Sequence, residues 1–176
     1  MVRVDVRIAV FGHELVGKTL MAQYFMATRV RTEIMSRNYV LDNTALRVEI
    51  FDPVAQGGLS TAFNEYVKSA DGFLIMYSVT DGESLTIARN IWKQILRTRA
   101  TLATPPFVLV ANKCEMDHKR VVSPLQGHML AGEIGCLFFE TSLRYKVNVK
   151  AIFHSILLEI IARKSASKSV GGCCTF

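Results

Sequence analysis

Residues 8–19 read Ile8-Ala9-Val10-Phe11-Gly12-His13-Glu14-Leu15-Val16-Gly17-Lys18-Thr19. The apolar start of this stretch predicts a buried strand, and the following pattern G-x-x-x-x-G-K-T predicts a phosphate-binding loop that leads into a helix. In such a loop successive backbone N–H groups wrap the phosphates, and the helix N-terminus adds positive potential. Lys18 is expected to reach the β- and γ-phosphates, and the Thr19 hydroxyl to ligate Mg²⁺. The alternative is a glycine-containing turn into an ordinary helix.

The rest of the chain alternates between apolar β-like segments and segments with helical periodicity. Strands are predicted over residues 4–11, 34–41, 45–52, 72–78, 107–111 and 137–139, and helices over residues 17–28, 59–69, 83–99, 124–134 and 148–163. The residues expected to form the buried face of the first helix are Leu20, Met21, Tyr24 and Phe25. A turn at 42–44 predicts a hairpin. The chain is therefore expected to form an α/β fold: a mixed six-stranded sheet, mostly parallel with one antiparallel edge strand, and helices on both faces.

Length and composition limit the organisation of the chain. The 176 residues carry a formal net charge of +6, and 50% of them are hydrophobic. They predict one folded domain over residues 1–164 and a flexible tail over residues 165–176. No apolar run approaches the roughly 18 residues that span a bilayer. Charges at Arg3, Asp5 and Arg7 break any secretory signal, so we expect synthesis in the cytosol. The sequence has no basic stripe interleaved with aromatic residues, so it does not predict a nucleic-acid partner.

Two further motifs follow predicted strands. Asn112-Lys113-Cys114-Glu115 comes directly after the strand at 107–111, and Glu140-Thr141-Ser142-Leu143-Arg144 comes after the strand at 137–139. With these blocks in this order, the chain resembles a Ras-type small GTPase over essentially its whole length. In that family the motif N-K-x-D selects guanine, and a later S-A-K block offers guanine O6 a backbone N–H. Glu115 keeps the carboxylate of the first block with one more methylene, whereas Leu143 replaces a small residue of the second.

The resemblance implies the P-loop small GTPase fold, GTP or GDP as ligand, and Mg²⁺ as cofactor. The nucleotide-binding residues that it implies are Glu14, Leu15, Val16, Gly17, Lys18, Thr19, Leu20, Asn112, Lys113, Glu115, Ser142, Leu143 and Arg144. Asp52, in Asp52-Pro53-Val54-Ala55-Gln56, is implied to hold Mg²⁺ through water together with Thr19. Gln56 falls where the family places the glutamine that orients the attacking water. The alternatives are a strand-terminal turn for Asp52 and a plain loop residue for Gln56.

The chain departs from the family pattern around the position of the γ-phosphate. Glu14 and Leu15 stand where much of the family has glycine, and a carboxylate at Glu14 would repel a bound phosphate. Ala55 replaces a glycine whose N–H contacts the γ-phosphate in the family. Only 34 positions separate Lys18 from Asp52, so the first switch loop is shortened. We expect slow intrinsic hydrolysis; the alternative for Glu14 is a side chain that simply points to solvent.

The chain ends in Cys173-Cys174-Thr175-Phe176. This C-a-a-X pattern predicts prenylation of Cys173, and a terminal Phe favours geranylgeranyl. The alternative is a chance cysteine, because neither "a" position is aliphatic. A prenyl group would place the protein on the cytoplasmic face of a cellular membrane.

The leading hypothesis is therefore a monomeric, membrane-anchored guanine-nucleotide switch that acts through effector and regulator proteins. Two alternatives remain. The first is a pseudo-GTPase that serves as an interaction module with constitutive nucleotide or none. The second, a P-loop kinase or ATPase, is disfavoured by the guanine block.

Overall fold

Over the residues that the structure describes, the sheet has six strands, and all but one of them run parallel. A computed structural model describes residues 3–29, 32–53, 61–99 and 104–170. The strands are β1 (Val4–Gly12), β2 (Ile34–Leu41), β3 (Thr44–Phe51), β4 (Gly72–Ser78), β5 (Phe107–Asn112) and β6 (Leu137–Thr141). Their order is β2-β3-β1-β4-β5-β6. Only β2 pairs antiparallel, with β3, so the predicted mixed sheet is confirmed.

Five α-helices in the described segments cover the two faces of this sheet. They are α1 (Lys18–Met26), α2 (Thr61–Ser69), α3 (Gly82–Arg99), α4 (Pro124–Ile134) and α5 (Val149–Val170). One buried apolar cluster joins the sheet to α1 and α5, and a second joins it to α2, α3 and α4. Because both faces are covered, the central strands read as continuous apolar runs rather than alternating ones, and all seven residues of β4 are buried.

Local sequence chemistry explains several element boundaries. Asp42 and Asn43 both have positive φ in the two-residue turn between β2 and β3, as a type I′ hairpin turn requires. Ser123 caps α4 in a capping box with Gln126, and Pro124 occupies the first turn. Gly135, with φ 74°, ends that helix in the left-handed conformation.

Two predictions about the helices need correction. Leu20 was expected on the buried face of α1, but 61% of its surface is exposed. Met21 and Phe25 are buried as predicted and Tyr24 is half-buried, while Lys18, Ala22 and Met26 are buried as well. The last helix was expected to end near residue 163, yet α5 continues to Val170, into the first half of the predicted flexible tail. None of the helices in the described segments combines the length and the hydropathy needed to span a bilayer.

Candidate functional site

The carboxyl ends of the parallel strands gather the polar motifs at one edge of the sheet. β1 leads to the phosphate loop, β3 to Asp52, β5 to Asn112, and β6 to Ser142. Loops at this edge are where ligands bind in open α/β sheets. The topology therefore brings together four segments that lie far apart in the sequence.

Two glycines are required by the path of the phosphate loop. A Cβ on Gly12 would lie 2.3 Å from the Met76 carbonyl oxygen, and one on Gly17 would lie 2.6 Å from Asn112 Nδ2. Gly17 also has φ 102°, a conformation that side chains disfavour. The loop thus lies directly against β4 and Asn112, and only glycine allows so close an approach.

The Lys18 side chain folds back across the loop and binds two of its carbonyl oxygens. Its Nζ donates hydrogen bonds to the carbonyl oxygens of Gly12, at 3.0 Å, and His13, at 2.7 Å. The side chain is buried. A buried ammonium at the start of α1, next to the helix N-terminus, makes the concave side of the loop favourable for anions.

Asn112 links the loop to the strand that carries the second motif. Its Nδ2 donates to the Val16 carbonyl oxygen over 2.8 Å, and both residues are buried. Asn112 Oδ1 and Glu115 Oε2 are also buried, and neither has a hydrogen-bond partner among the described residues. Buried polar atoms are normally paired. These two acceptors are therefore suited to a ligand that carries N–H donors, such as the N1–H and amino group of guanine.

The loop after β6 is held in a tight turn. Thr141 Oγ1 donates to the Val147 carbonyl oxygen at 2.5 Å, and the Val147 N–H donates to the Ser142 carbonyl oxygen at 2.9 Å. Ser142 Oγ accepts the N–H of Tyr145. These bonds place Leu143 and Arg144 at the surface that faces the phosphate loop.

A cleft of about 470 Å³ runs between these segments. Eight of the predicted nucleotide-binding residues line it: Leu15, Gly17, Leu20, Asn112, Lys113, Glu115, Leu143 and Arg144. The other five predicted residues do not line the cleft: Glu14, Val16, Lys18, Thr19 and Ser142. Of these, Val16 and Ser142 are buried and Glu14 is exposed. Three features of this cleft fit a guanine nucleotide: its volume, the glycines at the two ends of the loop, and the buried acceptors of Asn112 and Glu115.

Two residues that sequence reasoning missed as site residues also line the cleft. Tyr24 lies one helical turn after Leu20 on α1, and Met116 directly follows Glu115. The spacing of four residues between Leu20 and Tyr24 was a signal for the first, because such residues share a helix face. No pattern in the sequence pointed to Met116.

The predicted magnesium ligands lie at the same edge of the sheet. Thr19 is half-buried in the first turn of α1, and Asp52 is buried directly after β3. The Asp52 N–H donates to the Glu33 carbonyl oxygen at 2.8 Å, which fixes the backbone there. A hydroxyl and a carboxylate are the hard oxygen donors that Mg²⁺ takes beside water and phosphate. The donor set thus fits this ion, while Ala55, Gln56 and Cys173 lie outside the described residues.

A pair that the sequence did not predict holds the other end of the loop. His13 Nδ1 lies 3.3 Å from Asp81 Oδ2. Asp81 Oδ1 accepts the backbone N–H groups of Glu83 and Ser84 at the start of α3. Burial alone raises the pKa of the Asp81 carboxyl, but the His13 and backbone hydrogen bonds outweigh it and hold that pKa below its ordinary value.

Comparison with known proteins agrees with this geometry. The model of the Ras family matches residues 7–162. The chain is 33% identical over 128 residues to a Ras-like protein of Laccaria bicolor, covering 73% of this chain and 61% of that protein. It is 33% identical over 169 residues to the Ras-related protein Rab-3 of Caenorhabditis elegans, with 91% and 75% covered. The GTP-binding protein Rit1 of Mus musculus is 31% identical over 163 residues, with 89% and 74% covered. The chain therefore spans less than two thirds of the Laccaria protein.

Proposed function

The chain belongs to the Ras family, and from this premise we propose that it is a guanine-nucleotide switch that requires Mg²⁺ and hydrolyses GTP slowly. The observation that carries the proposal is a pair of buried acceptors at the cleft, Asn112 Oδ1 and Glu115 Oε2, which have no hydrogen-bond partner in the described part of the chain. An adenine base presents a different donor pattern, which disfavours the reading as a kinase or ATPase. Isothermal calorimetry with GDP, GTP and ATP tests this choice, and equal affinity for GDP and ATP would refute guanine recognition.

The phosphates are proposed to lie in the concave loop between Gly12 and Lys18. Backbone N–H groups and the Lys18 ammonium bind them there. Thr19 and Asp52 would hold Mg²⁺, which supplies charge neutralisation at the terminal phosphates when bound. Removal of the ion with a chelator is expected to speed GDP release, and an unchanged release rate would contradict a magnesium-dependent site.

Slow hydrolysis is proposed from the middle of the loop. Glu14 is exposed between His13 and Leu15, so its carboxylate stands on the segment that would border the γ-phosphate. Like charges repel there, and any side chain crowds an attacking water or an incoming arginine. Hydrolysis still needs a group to orient water, and Gln56 is the proposed residue for that role.

Single-turnover hydrolysis of GTP tests this proposal directly. We expect Glu14→Gly to raise the rate at least several-fold over the unmodified protein, because it removes both charge and bulk. Glu14→Gln is the matched control that removes the charge alone and keeps the length. A rapid rate in the unmodified protein, or equal rates in all three, would contradict an obstructive Glu14.

A membrane-anchored form is proposed from the sequence of the chain end. Prenylation of Cys173 would place the protein on the cytoplasmic face of a membrane, as a monomer available to effector and regulator proteins. Mass spectrometry of the protein from eukaryotic cells, with Cys173→Ser as control, tests it. An unmodified, untrimmed terminus would contradict the proposal.

One observation favours a second candidate function. Glu14 and Leu15 stand in the middle of the loop, where much of the family has glycine and where the γ-phosphate would lie. If these side chains prevent the protein from distinguishing GTP from GDP, the protein would be an interaction module rather than a switch. A ligand pair without differential affinity shifts no equilibrium. Equal affinities for GDP and GTP, measured in the same calorimetry, would favour the module over the switch.

A further inference from the structure

We infer that Tyr24 provides the aromatic surface against which the base of the bound nucleotide packs, and that Lys146 holds this ring in place. The inference rests on the proposed function and adds to it a contact from α1. Tyr24 lies outside the phosphate loop and outside both of the later motifs.

The position of Tyr24 is the first observation. It is the only aromatic residue among the described residues that line the cleft. Long side chains on a helix point back toward its N-terminus, so the ring extends over the turn that contains Leu20, toward the phosphate loop. The residue is half-buried, because it also packs against the apolar cluster beneath α1. One part of the ring is thus supported by the core while another borders the cleft.

The second observation is a contact across the cleft edge. Lys146 Nζ lies 5.5 Å from the centre of the Tyr24 ring. Lys146 belongs to the turn after β6, where its φ of 62° lies in the left-handed region. An ammonium at this distance from an aromatic ring attracts it. The contact therefore links α1 to the loop that contains Ser142, and it limits the orientations open to the ring.

The remaining walls of the cleft make a stacked base the occupant that fits. Leu15, Leu20 and Leu143 add apolar surface, and the acceptors of Asn112 and Glu115 lie at the same cleft. A planar purine has an apolar face and a hydrogen-bonding edge, which match these two kinds of surface. Stacking does not depend on which base is present. Tyr24 therefore sets how tightly a nucleotide binds, while Asn112 and Glu115 set which base is chosen.

Calorimetry on the full chain with two ligands tests this division. GDP carries the base and pyrophosphate does not. Because stacking on an aromatic ring gives about tenfold in affinity, we expect Tyr24→Leu to weaken GDP binding roughly tenfold and to leave pyrophosphate binding unchanged. Tyr24→Phe keeps the ring and should bind GDP within about twofold of the unmodified protein. Lys146→Met should weaken GDP binding several-fold without touching the core.

The matched control is Tyr39→Leu. Tyr39 packs against Phe25 in the same apolar cluster, with ring centres 5.3 Å apart, but does not line the cleft. It should leave both affinities unchanged. Equal loss of GDP and pyrophosphate binding in Tyr24→Leu, or no loss in both Tyr24→Leu and Lys146→Met, would overturn the inference. Failure of the unmodified protein to bind GDP would instead overturn the proposed function, and the inference with it.

Discussion

The two ends of the phosphate loop are tightly packed and its middle is exposed to solvent, although they are only a few residues apart. At the ends, Gly12 lies against the backbone of β4, and Val16 is 1% exposed with its carbonyl bound by Asn112. In the middle, Glu14 is exposed and Leu15 is 88% exposed with φ 58°. The sheet thus imposes the shape of the loop from its ends. We therefore expect substitutions at Glu14 and Leu15 to have little effect on folding.

The largest effect is expected from breaking an end of the loop with Gly17→Ala. The new Cβ would meet Asn112 Nδ2 at 2.6 Å and Leu143 Cδ1 at 2.9 Å, at a φ of 102°. Overpacking and backbone strain together should lower the free energy of unfolding by roughly 2–4 kcal/mol, measured by urea denaturation. The control is Gly132→Ala in α4, where a Cβ meets nothing within 4 Å. Equal stability of the two variants would show that the end of the loop is not tightly packed.

A smaller effect is expected from Asn112→Ala. It leaves the Val16 carbonyl oxygen buried without its donor, so the free energy of unfolding should fall by about 1–3 kcal/mol. Affinity for GDP should fall by at least about tenfold as well, since one hydrogen-bonded acceptor for the base is lost. Asn38→Ala, in an exposed part of β2, serves as the control and should change neither quantity. A loss of affinity without loss of stability would separate base recognition from support of the loop.

The His13–Asp81 pair gives weaker support at the start of the loop, next to Gly12. Both side chains are about one-third exposed, so we expect a coupling of about 0.5–1 kcal/mol in a double-mutant cycle on stability. His13→Ala and Asp81→Asn are the two single changes, because Asn keeps an acceptor for the start of α3. The coupling should shrink as salt is raised. No measurable coupling at low salt would mean that this pair adds nothing to the support that the sheet, Lys18 and Asn112 give the loop.

The smallest effect is expected in the middle of the loop. Leu15→Gly removes the strain of a side chain at left-handed φ, which stabilises the folded state, but it also raises the conformational entropy of the unfolded chain. These opposing terms should leave the free energy of unfolding within about 0.5 kcal/mol of its original value. Thermal or urea denaturation gives the comparison with Gly17→Ala. A loss above about 1 kcal/mol would show that the middle of the loop is packed in solution and would remove the contrast between the two regions.

Sequence periodicity predicted the fold well because its signals are local. Each predicted strand and helix is present, and most boundaries agree within a few residues. The errors have physical causes. Leu20 has helical spacing to Tyr24 but sits on the face of α1 that borders the cleft, which periodicity cannot distinguish from a core face. The extension of α5 to Val170 follows from small polar residues that disfavour a core but do not forbid a helix.

The candidate site divides in the same way. Gly12, Gly17 and Lys18 form a pattern within seven residues, so the sequence by itself predicts a phosphate loop there. Asn112 and Val16 lie 96 positions apart, and His13 and Asp81 lie 68 apart. Such contacts depend on strand order and register, which no local pattern encodes. The sequence alone determined the fold class and the kind of ligand, whereas the tertiary structure decided which residues brace the loop and which aromatic ring borders the cleft.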